Sequence, residues 1–265
     1  DWRRYVAWLA GEGVDPRAAT AGDVQRYVNG LADAGKSKPT RARALSVLRE
    51  VYRALVVGGL CASNPAREVK NPKVSRAPRT PWLGDSELRA VFASAAMGID
   101  WLSRRNWTAM LALALLGWRR SEVARMVVED FDGRTVRQAV KGGKQRLVGV
   151  PPYLLAEIAA WRELGSIERG ALFPRDPEDP RAMSGKMLYY VVKSVGVRAG
   201  VLKLTPHALR RTFITILDER GVPLADLQLA VSHESITTTE RYRMGARAAG
   251  QAPGELLRDL VEQPS

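Results

Sequence analysis

Residues 205–212 read TPHALRRT. Thr205 and Pro206 make a good cap and first position for a helix. His207 and Arg210, three residues apart, share one face of that helix. Both lie in its first turns, where unpaired N–H groups and the macrodipole favour an anion. An arginine fork matches two phosphate oxygens, and an imidazole donates or accepts one proton near neutral pH. The pair suits a phosphate diester, although a His-x-x-Arg spacing also arises by chance on an ordinary surface helix. The chain holds two histidines in all, His207 and His233, so a metal site built on several imidazoles is excluded.

Outward from this stretch, the pattern is mostly helical. The helix that begins at Pro206 ends at Gly221, and two shorter ones follow around Leu224–Val231 and Ser235–Arg243. Within residues 229–242, LAVSHESITTTERY, His233 lies nine residues before Tyr242. A tyrosine near a helix end is usually a packing residue, and the second histidine beside it weakens that reading. Upstream, residues 115–123 read LLGWRRSEV, with Arg119 after an apolar helix and Glu122 three residues on, able to pair with it or orient it. Helices are expected at Ser86–Ala96, Ser103–Leu116, Ser121–Met126, Tyr153–Leu164 and Gly185–Ala199. Arg134–Val140 and Gln145–Val150 alternate as strands, joined by the hairpin Lys141-Gly142-Gly143-Lys144. Lysines on such a turn are also common solubilising residues. Leu256, Leu257, Leu260 and Val261 form a narrow apolar stripe on a short terminal helix.

The first 65 or so residues read as short helices. Thr20 and Asp23 form a capping pattern, and Pro39 opens a longer helix with Leu45, Leu48, Tyr52 and Leu55 at helical spacing. Lys36, Lys38, Arg41, Arg43, Arg49 and Arg53 fall in this region with a single acid, Glu50. A solvated helix face is the ordinary explanation for such a run. Yet residues 1–80 hold 15 of the 41 basic residues and 7 of the 28 acidic ones, which tilts the reading toward phosphate contact. Residues 70–81, KNPKVSRAPRTP, contain three prolines and no acid and are expected to be an extended basic linker. The expected organisation is a helical domain at 1–69, the linker at 70–81 and a second domain at 82–265. The fold class is mainly α with one small antiparallel sheet.

The 265 residues carry a formal charge of +13 and a pI near 10.3, which points to a polyanionic partner, most often nucleic acid. A membrane is disfavoured, because the most apolar run, Trp107 to Trp118, is flanked by arginines and falls short of the ~20 residues a span needs. One cysteine, Cys61, rules out an internal disulfide and a cysteine metal cluster and fits a reducing compartment.

Together and in this order, the segments resemble the tyrosine recombinase (phage integrase) family. Its first box, Gly-x-Arg-x-Ser-Glu, is matched by Gly117, Arg119, Ser121 and Glu122. Its hairpin lysine falls on Lys141. Its second box falls on His207, Arg210, His233 and Tyr242, and Asn64-Pro65-Ala66 sits where the family's core-binding domain ends. Arg211 stands where many members have a second histidine, Ser232 where a glycine usually precedes the histidine, and Gly149 where proline is common.

The resemblance implies a core-binding domain and an α+β catalytic domain that close around double-stranded DNA. It also implies site-specific strand exchange through a 3′-phosphotyrosine. Tyr242 would be the nucleophile, His207 the base, Arg119 and Arg210 the clamp on the nonbridging oxygens, Lys141 the acid, and His233 a hydrogen-bond donor to the phosphate. Glu122 would orient Arg119. Lys36, Lys38, Arg41, Arg43, Arg49 and Lys144 are the expected DNA contacts. No metal or other cofactor is expected, since two arginines would replace a metal clamp and the phosphotyrosine keeps the bond energy. The implied assembly is a homotetramer on two DNA sites, working in the cytoplasm on the nucleoid. The terminal stripe would either pack on its own domain or dock on a neighbouring protomer. Rival readings are a non-cleaving DNA-binding protein of this fold and a type IB topoisomerase-like enzyme.

Overall fold

The computed structural model describes residues 1–73, 81–140, 144–231 and 253–262. The chain divides into two compact units, Asp1–Pro78 and Arg79–Ser265.

The smaller unit packs helices α1 (Trp2–Gly11), α2 (Ala21–Asp33) and α3 (Lys38–Val57). The Thr20–Asp23 pattern forms a reciprocal cap: Thr20 Oγ1 accepts from Asp23 N at 3.3 Å and Asp23 Oδ2 accepts from Thr20 N at 2.7 Å. Ser37 caps α3, whose second residue is Pro39. Tyr5, Leu9, Val24, Tyr27, Leu45, Leu48 and Tyr52 fill the core. The chain beyond α3 is laced back to it by polar groups. Asn64 Nδ2 donates to Arg49 O, and Arg49 donates to Ala66 O, Val69 O and Asn71 Oδ1.

The larger unit is built around the apolar run seen in the sequence. It lies in α5 (Trp101–Leu116), which is buried continuously from Trp107 to Leu116, as expected of a helix that is apolar on every side. Around it pack α4 (Asp85–Ala95), α7 (Pro152–Gly165), α8 (Gly185–Arg198) and α9 (Pro206–Glu219). Each leucine fully buried here contributes about 1.5–3 kcal/mol. The one-turn helix α6 (Arg120–Val123) follows α5. It is shorter than the expected Ser121–Met126, because the chain turns away to bond Met126 O to Leu172 N.

An antiparallel sheet of order β1-β2-β3 follows: β1 Phe131–Asp132, β2 Thr135–Val140 and β3 Lys144–Gly149. The sequence reading anticipates β2 and β3. It misses β1, which at two residues is too short to show alternation. The register pairs Val136 with Val148, Gln138 with Arg146 and Val140 with Lys144. Helix α10 (Leu224–Val231) has the expected bounds, whereas Ser235–Arg243 and residues 141–143 lie outside the described residues.

The terminal stripe forms a 3-10 turn (Pro253–Leu257) and a short helix α11 (Arg258–Val261). It packs on its own unit against α4, α5 and α9, burying Leu257, Leu260 and Val261. Arg220 holds it through Leu256 O and the Asp259 carboxylate. Among the described residues no helix is long and apolar enough to cross a membrane.

Gly117 joins α5 to α6 in the left-handed region, with φ of 61°. A Cβ there would lie 2.8 Å from Cγ of Phe213, on α9. Position 117 therefore needs glycine for its backbone angle and again for the ring that covers it. Gly117→Ala is expected to cost about 2–4 kcal/mol from the strained angle and the collision together. Urea denaturation checks this, and a loss below about 0.5 kcal/mol, the size of a neutral surface change, would contradict it.

Candidate active site

The turn at Gly117 sets the first part of the site. Trp118 is buried, and the chain then emerges at Arg119, which stands at the N-terminus of α6. Glu122 binds Arg119 twice: Oε2 accepts from its backbone N at 2.7 Å and Oε1 from Nη1 at 2.9 Å. Glu122 thus holds both the backbone and the side chain of Arg119. Both side chains keep contact with solvent.

Helix α9 supplies the second part. Thr205 Oγ1 accepts from Ala208 N at 3.0 Å, as a cap should. Arg210 is only 4% exposed. Its Nη1 donates to Gly117 O at 2.8 Å and its Nη2 to Val231 O, at the end of α10. Burial foremost, and then the charge of Arg119, press its pKa down to about 10. It stays protonated at neutral pH. His207, near the start of α9, is exposed at the surface. Its pKa is lowered, first by partial burial and then by Arg210, Arg211 and Arg119. Both causes favour the neutral imidazole.

Four of the expected residues, Arg119, Glu122, His207 and Arg210, come together from α6 and α9. Lys141, His233 and Tyr242 lie outside the described residues, as does the side chain of Lys144. In the smaller unit, Lys36, Lys38 and Arg43 are exposed and Arg41 is partly so. Arg49 is occupied in bonds to the chain that follows α3. Among the described residues no cluster of three or more His, Cys, Asp or Glu is placed to hold a metal ion.

Sequence reasoning passed over Arg146 on β3. It donates to Gln138 Oε1 and to Ala230 O, the carbonyl next to the one Arg210 holds. Its pKa is pushed down to about 10 by burial and by Arg210 and Arg119, while Glu122 opposes that shift. A signal was present in the pattern. Val136, Gln138, Arg146 and Val148 share one face of the hairpin, so two polar residues alternate with two buried valines. A cation in such a row needs a built-in partner.

Residues 82–248 match the phage integrase family, and residues 1–59 match the phage integrase N-terminal SAM-like domain. Tyrosine recombinase XerD of Bifidobacterium longum is 30% identical over 258 residues, covering 91% of this chain and 83% of its own. Tyrosine recombinase XerA of Thermococcus kodakarensis is 31% identical over 245 residues, covering 91% and 80%. Among solved structures, the integrase from mycobacterium phage Brujita matches with a TM-score of 0.57 at 25% identity, over 99% of this chain and 85% of that one. A lambda integrase (75–356) dimer bound to a COC′ core site matches with a TM-score of 0.66, over 88% and 87%, and at 16% identity it speaks to the fold. The relatives are named as recombinases, which favours strand exchange over the DNA-binding and topoisomerase alternatives. With its fold, its arginine-centred site and both family matches in agreement, the chain belongs to the phage integrase family and is a tyrosine site-specific recombinase.

Proposed function

We propose that the protein cleaves one strand of double-stranded DNA with Tyr242 and passes the broken end to a second duplex. The observation that carries this reading is Arg210. A nearly inaccessible guanidinium, fixed by two backbone carbonyls and set beside Arg119 and a neutral His207, is a preorganised receptor for a phosphate. In the cleavage step Tyr242 Oη attacks the scissile phosphorus. The new Oη–P bond forms as the P–O5′ bond breaks, and the bonding pair leaves on O5′. The phenol, with an ordinary pKa of ~10, is a poor nucleophile until its proton is removed. His207 takes that proton, and Lys141 supplies one to O5′. Arg119, oriented by Glu122, and Arg210 bind the nonbridging oxygens, with His233 as a further donor. Rejoining is the reverse sequence with a 5′ hydroxyl from the partner strand.

The smaller unit then serves as the duplex grip, through Lys36, Lys38, Arg41 and Arg43, with Lys144 contributing from the larger unit. Arg49 supports this surface from beneath by holding the segment after α3. Because such contacts release counterions, affinity should fall steeply with salt. Strand exchange between two duplexes requires a homotetramer, and its place of work is the nucleoid in the cytoplasm.

Two measurements check the assigned roles. Lys141→Ala should lose cleavage on ordinary DNA and regain most of it on DNA with sulfur at the 5′-bridging position, since a thiolate leaves without a proton. Absence of recovery would remove Lys141 from the acid role. For His207, an NMR titration of the free protein should give a pKa below the ordinary 6.5. Arg211→Ala should raise it, because one positive charge that disfavours the imidazolium is gone. A wild-type value at or above 6.5 would contradict the neutral base.

A further inference from the structure

Strand β3 carries a partly buried cation that the reaction set above does not use. Arg146 Nε and Nη2 donate to Gln138 Oε1, at 2.7 and 2.5 Å, and Nη2 also donates to Ala230 O at 2.9 Å. The following carbonyl, Val231 O, is the one that Arg210 Nη2 holds. Adjacent carbonyls at the end of α10 therefore set the guanidiniums of Arg146 and Arg210 side by side. The other arm of Arg210 lies on Gly117 O, two residues before Arg119. Three arginines from α6, β3 and α9 converge, and among the described residues Glu122 is the carboxylate whose charge acts on Arg146 and Arg210.

This imbalance is informative. Like charges gathered in a partly buried pocket repel one another more strongly than they would in water. An anion bound there would be attracted by all three cations. A tie that only held the hairpin to α10 would be served by a neutral donor, and would not need a cation beside two others. The oxygens that accept from Arg146, Gln138 Oε1 and Ala230 O, are neutral, so they orient the fork without cancelling its charge.

We propose that Arg146 is a third arginine of the phosphate site, stabilising the negative charge of the scissile phosphate together with Arg119 and Arg210. This rests on the reading of Arg119 and Arg210 as the phosphate clamp. The neighbouring carbonyls Ala230 and Val231 fix the spacing of two of the three cations, so the pocket is charged in advance of binding.

The test measures single-turnover formation of the covalent complex on two versions of the cognate duplex. One carries the natural diester at the scissile position, and the other a methylphosphonate, which lacks the charged oxygen. Arg146→Met should react on the order of 10- to 100-fold more slowly than wild type on the diester. On the neutral methylphosphonate the gap should shrink to about threefold or less, because little charge remains to be stabilised. Arg119→Ala, run in parallel, tests the underlying reading. If its defect shrinks while that of Arg146→Met stays equal on both substrates, Arg146 is a structural tie and the proposal fails alone. If neither defect shrinks, the clamp reading fails and takes the proposal with it. Arg146→Lys keeps the charge and loses the fork, which guards against a misfolded methionine variant. It should react at least about threefold faster than Arg146→Met on the diester, and a rate no higher than that of Arg146→Met would overturn the proposal, as would full activity of Arg146→Met.

Discussion

The approach of α9 to Gly117 is the constraint on which the rest of the larger unit depends. Gly117 must end α5 in a left-handed turn, and the Phe213 ring fills the space where a side chain would stand. The same contact leaves Gly117 O free to accept from Arg210 at 2.8 Å. One residue thus ends the central helix, aims the chain so that Arg119 emerges at the start of α6, and anchors the other arginine of the pair. A second arm of Arg210 reaches Val231 O and draws in the end of α10. Core packing and site geometry are therefore not separable here. A change that moved α9 away from α5 would disperse the cations as well as open the core.

The means by which these cations are held also matters. Arg210 and Arg146 are bound largely by backbone carbonyls and a neutral amide. Carbonyl dipoles orient a guanidinium without cancelling its charge, so the positive potential is kept for a phosphate. Surface arginines of the same unit are treated differently. Arg181 pairs with Asp179 at 2.6 Å and Arg258 with Glu262 at 2.7 Å, which neutralises them locally. Glu122 stands between these cases, since it orients Arg119 while one carboxylate serves a cluster of three arginines.

Much of this was legible in the residues. The capped helices at Thr20 and Thr205, the apolar run of α5 and the alternating strands β2 and β3 each follow local rules that no distant contact overrides. That Arg119 lies by Glu122 and His207 by Arg210 was legible because short spacing places each pair on one helix or one turn. The misses have physical causes. β1 is too short to carry a period, and α6 is cut short by a bond to Leu172 that lies far away in sequence. Arg49 reads as one cation in a basic run, yet its partners Ala66, Val69 and Asn71 come from the chain beyond α3, where no periodicity points to them. Arg146 has one partner, Gln138, on the neighbouring strand, where the alternation hints at it, but its other partner, Ala230, belongs to α10, some 84 residues on. The terminal stripe lies on its own unit, under Arg220 and against α5.

We propose that the arginine-lined site lets Tyr242 hold DNA covalently without a metal. Covalent trapping tests it most directly. Wild type and Tyr242→Phe are incubated with a pool of nicked duplexes in EDTA, and SDS-resistant protein–DNA complexes are measured. The account predicts a complex with wild type, none with Tyr242→Phe, and nearly equal DNA affinity for the two. A complex that persists in Tyr242→Phe, or one that wild type forms only when Mg²⁺ is restored, would contradict it.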